Sequence, residues 1–294
     1  MLANDGGLVV GGTVLLSFDY QGRSAPAGES STEYGSEPHV DNVATTFPPT
    51  DVGSTGDTAD DARKRISNVV ATFTPVADGN NVTDGPKLRQ GDEGVGVYEA
   101  TGINFENPGF WEVTVDGTID GETFSIPASF EVAPTAAIPA AGDPAPRTVN
   151  LLPGDPEAPV KAVDSRAEPD GSVPDPELHL RTVADAINSG KPTLVVISTP
   201  VFCVSRFCGP ITDTVSTMAA EYGDRANFIH IEVWRDFENT TLNRGAAEWI
   251  YPDPSTDARE PWVFLVDRQG TVSQRWDNVA NGRAMRDAVD QLLS

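Results

Sequence analysis

Two spacings of apolar residues divide the chain. Up to about residue 134, apolar and polar positions alternate with the period of a half-buried β-strand. Gly12 to Tyr20 (GTVLLSFDY), Val69 to Val76 (VVATFTPV) and Val95 to Phe105 (VGVYEATGINF) each read as a strand. Trp111 to Val115 and Thr123 to Val132 read as two arms of a hairpin. Asp120-Gly121 is the hairpin-type dipeptide between them, and Asp116-Gly117 is expected to turn or bulge. Short strands separated by Gly, Asp and Asn predict a β-sandwich over residues 1–134. Residues 25–61 interrupt it as a loop-rich insertion of Ser, Thr, Gly, Pro and Asp, for which partial disorder is expected. Asp57 to Ser67 is expected to form a helical turn or two.

Beyond residue 176 the pattern changes. Arg181 to Asn188 has helical spacing and runs to Gly190, a residue suited to the position just past a helix end. Thr193 to Ser198 (TLVVIS) is a continuous apolar run, the mark of a strand covered on both faces. Helical spacing returns at Ile211 to Tyr222, a buried strand at Asn227 to Trp234, and a helix at Leu242 to Ile250. Trp262 to Val266 and Val272 to Trp276 read as paired strands around a turn. Asn281 is placed to cap a last helix with Met285, Val289 and Leu292 on one face. The order α-β-α-β-α-β-β-α predicts an α/β domain over residues 177–294. Between the two patterns, residues 135–176 are punctuated by Pro139, Pro144, Pro146, Pro153, Pro156, Pro159 and Pro174. Proline fixes φ and removes a donor, so this stretch is expected to be an extended, semi-rigid linker.

The length, 294 residues, suits two domains. No apolar run approaches the roughly 20 residues of a membrane-spanning helix. The net charge is −24, with 21 acidic against 6 basic residues before residue 136. That balance argues against a nucleic-acid partner, which needs a basic surface. Four lysines stand against sixteen arginines, and an acidic, lysine-poor surface suits a halophilic source. The opening Met1-Leu2-Ala3-Asn4-Asp5 has neither a basic nor an apolar segment of the signal-peptide kind. The expectation is either a cytosolic chain or one from which a signal or anchor was removed.

Candidate chemistry concentrates in Thr199-Pro-Val-Phe-Cys203-Val-Ser-Arg-Phe-Cys208-Gly-Pro210, where a buried strand hands over to a helix. These are the chain's two cysteines. A helix N-terminus favours a thiolate, the nucleophilic form. Two cysteines five positions apart can pair if the loop brings their Cα atoms within about 7 Å.

The element order, the cysteines at the strand-to-helix junction, and Glu260-Pro261-Trp262 before a β-hairpin together resemble the thioredoxin fold. The resemblance implies that Pro261 is the cis-proline facing the redox cysteines, that Cys203 attacks and that Cys208 resolves. A second alignment matches Phe207-Cys208-Gly-Pro to the family's Trp-Cys-Gly-Pro and puts Ile211 at the second cysteine. The spacing departs from the family's Cys-x-x-Cys. Ile197 stands where thioredoxins keep a buried carboxylate, and Glu260 adds negative charge near the sulfurs. Both departures weaken the expectation of fast reductase activity. The implied function is extracytoplasmic thiol–disulfide exchange with a protein partner, without a cofactor. The alternatives are a non-catalytic interaction protein with a structural disulfide and a copper carrier resembling the Sco type, with Cys203, Cys208 and His230 as ligands. His230 alternates with Ile229 and Ile231 and reads first as a hydrogen-bonded sheet histidine. His179 reads as a surface or cap residue.

In the N-terminal half, Gly96-Val-Tyr98-Glu-Ala100 and Asn107-Pro-Gly-Phe-Trp111-Glu-Val resemble the Ig-like domains of the YtkA, FixH and CopC-like type, which implies an Ig-like sandwich acting as a docking or spacer module. Tyr98 is a candidate for a tyrosine-corner hydrogen bond and Trp111 for the core.

Overall fold

A computed structural model describes residues 3–4, 7–8, 13–23, 65–75, 96–119, 121–156, 158–203, 207–252, 260–277 and 280–294. The chain divides into two compact units, the first ending at Thr135 and the second running from Ala136 to Ser294. The 25–61 insertion lies outside the described residues.

The first unit contains β1 (Thr13–Gly22), β2 (Arg65–Pro75), β3 (Gly96–Glu99), β4 (Gly109–Ile119) and β5 (Glu122–Val132). They form one antiparallel sheet in the order β3-β2-β1-β4-β5. Among the described residues this unit shows that five-stranded layer and a separate short ladder that pairs Ala3–Asn4 with Gly7–Leu8. Alternation along β1 buries Val14, Phe18 and Tyr20. Phe18, Tyr20 and Trp111 centre an aromatic core to which Phe105 and Phe130 add edge-on rings. Trp111 Nε1 donates to the Asn107 carbonyl, and the Tyr20 hydroxyl donates to the Pro108 carbonyl across 88 residues of sequence. Tyr98 packs edge-on against Phe73.

The β4–β5 hairpin pairs Ile119 with Glu122, with Gly121 at φ +86°, while Asp120 of the expected turn dipeptide lies outside the described residues. Two expectations are corrected in this unit. Asp116-Gly117 neither turns nor bulges: the ladder runs through it, and the Phe124 ring fills the space where a Gly117 Cβ would project. The expected helical turn does not extend to residues 65–67, which open β2 as strand; its earlier part lies outside the described residues. Pro127 is accommodated because β5 is an edge strand.

The second unit contains α1 (Val183–Asn188), β6 (Thr193–Ser198), α2 (Cys208–Tyr222), β7 (Asn227–Glu232), β8 (Trp234–Asp236), β9 (Thr241–Leu242), α3 (Arg244–Ile250), β10 (Trp262–Val266), β11 (Val272–Asp277) and α4 (Gly282–Leu293). A four-stranded sheet runs β11-β10-β6-β7. β6 and β7 are parallel, β10 is antiparallel to β6, and β11 is antiparallel to β10. β8 and β9 form a separate two-stranded ribbon. Alternate residues feed two cores. Val195, Ile197, Ile229, Ile231 and Phe264 pack with Val183, Ile187 and Trp249 on one face. Leu194, Val196, Phe228, Val263 and Leu265 pack with Ile211, Val215, Met218, Met285 and Val289 on the other. The expected caps form: Asn281 accepts from the N–H groups of Arg283 and Ala284, and Gly190 follows α1 at φ +69°. Among the described residues, no helix is long and apolar enough to cross a membrane.

Residues 136–176 do not behave as a linker. Gly142 N donates to the Val272 carbonyl and Val272 N to that of Asp143, so this stretch covers the outer edge of β11. The Asn150 side chain accepts from Val183 N at the start of α1, and Thr148 Oγ1 accepts from the Trp249 indole. Ala162, Val163, Asp164 and Ser165 are buried. The prolines shape a strap that wraps the sheet, because the side chains between them have partners in the second unit.

Candidate functional site

The site lies at the end of the sheet where β6 and β7 finish. Ser198 ends β6, Thr199 to Cys203 continue away from it, and Cys208 opens α2. Cys203 and Cys208 are bonded to each other, S–S 2.07 Å and Cα–Cα 6.1 Å. Their environments differ. Cys203 is partly exposed, whereas Cys208 is 0% exposed in the core beneath α2. Starting α2 at Cys208 puts Pro210 within the first turn, where a missing N–H costs no hydrogen bond. The Thr212 hydroxyl lies 2.7 Å from that of Ser198 and 2.8 Å from the Cys208 carbonyl, tying the helix start to the strand end.

Apolar side chains cluster around the loop that carries Cys203. Phe202 stacks on Phe237 at 4.2 Å with the rings nearly parallel, and Trp234 meets Phe237 edge-on. Val201 and Phe237 are exposed. Pro261 follows a cis peptide bond and precedes β10. Because Trp262 pairs with Ile197, Pro261 sits at the same sheet end as the cysteine loop.

Behind this loop is a buried polar cluster. Ser198, His230 and Glu232 share the sheet face on which α2 lies, as the alternation with Val196 and Phe228 requires. His230 Nε2 lies 3.2 Å from the Ser198 carbonyl. Asp164, from the strap, is completely buried between the rings of His179 and His230. Arg166 grips Asp164 through Nε and Nη2, and reaches Asp175 at 2.7 Å and Asp213 on α2 at 3.3 Å. Burial pushes the Asp164 carboxyl up, but His179, His230 and Arg166 outweigh burial and hold it well below the carboxylate range. Burial lowers the His179 imidazole, with Asp164 opposing. Glu232 accepts from Ser165 N at 2.8 Å, and burial raises its carboxyl. Ser165 Oγ in turn accepts from Val201 N, two residues before Cys203.

The cysteines and Pro261 are therefore brought to one end of one sheet. His230 is a buried, hydrogen-bonded sheet histidine, but the structure groups it with Asp164 and His179 rather than with the sulfurs. His179 is 3% exposed and is not a surface residue, because the turn at Pro176–His179 packs against β7. Ile197 faces away from α2 into the other core. The buried carboxylates are Asp164 and Glu232, which no local motif marks. Glu232 had one readable signal, its place in the run Phe228-Ile-His-Ile-Glu that alternates apolar and ionisable residues. No protein-family model matches the chain, and no curated protein is significantly similar to it.

Proposed function

We propose that the second unit is a thioredoxin-like module that exchanges its Cys203–Cys208 disulfide with cysteines of a protein partner. The strand order β11-β10-β6-β7, with α2 crossing between the parallel pair, supports the fold reading. The observation that carries the function is the asymmetry of the bonded pair: Cys203 partly exposed, Cys208 fully buried at a helix start.

A partner thiolate attacks Cys203 Sγ. The Cys203–Cys208 bond breaks, and Cys208 leaves as a thiolate at the N-terminus of α2, where the helix field favours negative charge. The partner's second thiol then attacks its own sulfur in the mixed disulfide and releases Cys203. Both protons pass from the partner to the two cysteines, so the partner dithiol is oxidised and the protein disulfide reduced. In the reverse direction Cys203 attacks and Cys208 resolves. The Phe202, Phe237 and Val201 surface offers apolar contact beside the reacting sulfur. Pro261 closes the same end of the sheet and is proposed as part of the groove. A disulfide of this kind suits an oxidising, extracytoplasmic compartment. The acidic surface suits a halophilic source, and the first unit is read as an Ig-like docking module.

Mixed-disulfide trapping tests the assignment. A reduced Cys208→Ser variant, keeping Cys203, is expected to form a persistent mixed disulfide with oxidised glutathione or a dithionitrobenzoate reagent. Cys203→Ser, keeping buried Cys208, is expected to react far more slowly. Equal inertness of both variants in folded protein would leave the bond a staple and the unit a scaffold.

A further inference from the structure

We propose that Asp164, His179 and His230 form a binding site for one divalent transition-metal ion of the zinc type. The proposal is independent of the redox reading. Three segments converge to build it: the strap supplies Asp164, the turn at Pro176–His179 supplies His179, and β7 supplies His230. Their donor atoms all lie within 4.8 Å of one another, and all three side chains are buried.

The decisive feature is the orientation of His230. Its Nε2 faces the Ser198 carbonyl at 3.2 Å, and a carbonyl can only accept. Nε2 therefore carries the proton, and a neutral ring presents a bare lone pair at Nδ1. That Nδ1 is buried, has no hydrogen-bond partner, and faces Asp164 Oδ2 at 3.4 Å. A lone pair facing a carboxylate in a buried site is repulsive unless a cation or a proton lies between them. A ring nitrogen that donates to a backbone carbonyl leaves its mate free to ligate, which is how metal-ligating histidines are held.

The spacing agrees. His179 Nε2 is also 3.4 Å from Asp164 Oδ2. At 3.4 Å a contact is long for a charge-assisted hydrogen bond, which prefers about 2.7–2.9 Å. It equals the edge between two ligands of a tetrahedral ion with bonds of about 2.0–2.1 Å. His179 Nε2 is within hydrogen-bond distance of Asp164 Oδ2, and its partnerless Nδ1 can carry the ring's proton when Nε2 ligates. Arg166 donates to Asp164 through Nε and Nη2, fixing the carboxylate as an outer-shell partner does. Asp164, Asp175 and Asp213 surround this one guanidinium, so the cluster keeps negative charge to offset a divalent ion. Two imidazoles and one carboxylate suit zinc, with water completing the tetrahedron.

The test uses the full-length, disulfide-intact protein, unfolded and refolded in chelator and then refolded with one equivalent of Zn2+ or Co2+ so that the buried site can load. The expected result is one bound ion per chain, the intense visible bands of tetrahedral Co2+, and a higher Tm with zinc than without. Cys203→Ser/Cys208→Ser is expected to retain both stoichiometry and spectrum. His230→Gln is expected to weaken Zn2+ binding by roughly 100-fold or more. Absence of a stoichiometric ion and of the tetrahedral Co2+ spectrum in the refolded wild type overturns the proposal, and needs no variant to fold. Binding that survives His230→Gln but disappears in the cysteine double variant overturns it too.

Discussion

The two faces of the four-stranded sheet are built from the same strands yet hold different chemistry. The face under α1 and α3 is apolar from Val195 and Ile229 onward, where Val195, Ile197, Ile229, Ile231 and Phe264 pack against Trp249, Val183 and Ile187, with one buried polar pair, Thr193 and Asn227, at its far end. The face under α2 and α4 is apolar only as far as Val196 and Phe228. From there it turns polar, with Ser198, His230 and Glu232 meeting Asp164, His179 and Arg166. Burial of an ionisable group is costly unless it is paired, so a cluster of this kind persists only where its members satisfy one another. The cysteine loop rests on this polar end, through Ser165 to Val201 and Thr212 to Cys208. One face supplies stability; the other combines stability with a buried ionisable cluster whose contribution depends on pH.

Truncations on each face give the largest effects and expose the difference. Trp249→Ala is expected to cost about 3–5 kcal/mol through the cavity it leaves. Asp164→Ala is expected to cost a similar 3–5 kcal/mol, because it strands Arg166 and the two histidines without their shared partner. Their pH dependence separates them. The Asp164 carboxyl is lowered in the folded state, so its stabilisation is present above the ordinary aspartate value of 3.8 and is lost as pH falls below it. Denaturation of metal-free protein between pH 7 and pH 3 should show this acid loss in the wild type and in Trp249→Ala. It should be diminished in Asp164→Ala.

Glu232→Gln is a smaller perturbation, about 1–2 kcal/mol, and opposite in sign of pH dependence. The Glu232 carboxyl is raised in the folded state, so folded protein holds a proton that unfolded chain has released. Its contribution therefore declines as pH rises above the ordinary glutamate value of 4.5. Replacement by Gln should remove that decline, making the variant relatively more stable at pH 8 than at pH 5. Smallest of all is Arg286→Ala. It breaks the two-pronged pair between Arg286 on α4 and Glu221 on α2, which is largely open to water. A change within about 1 kcal/mol is expected, shrinking as salt is added.

The features readable in the sequence were those that depend on near neighbours. Gly121 marks its hairpin, Asn281 its cap and Gly190 its helix end, because each acts on backbone groups a few residues away. The continuous run TLVVIS marks a doubly covered strand for the same reason. Gly117 misleads because what decides its conformation is a ring from the opposite strand, Phe124, covering it in the ladder. The strap misleads more. Its prolines state that the chain is stiff, and say nothing about Asn150 meeting α1, Thr148 meeting Trp249, or Asp164 meeting two histidines. In the candidate site, both cysteines could be named from the strand-to-helix junction, and Pro261 from Glu260-Pro261-Trp262 before a hairpin. Asp164 and Arg166 could not: they sit two residues apart as an ordinary acid and base, and what makes them a site is His179 and His230, which lie 15 and 66 residues from Asp164.

The most direct measurement is the reduction midpoint of Cys203–Cys208, from thiol trapping across a series of glutathione or dithiothreitol buffers. An accessible, exchange-competent pair predicts a midpoint between about −120 and −270 mV, within reach of cellular redox partners. A midpoint below about −300 mV, in folded protein, would contradict the account.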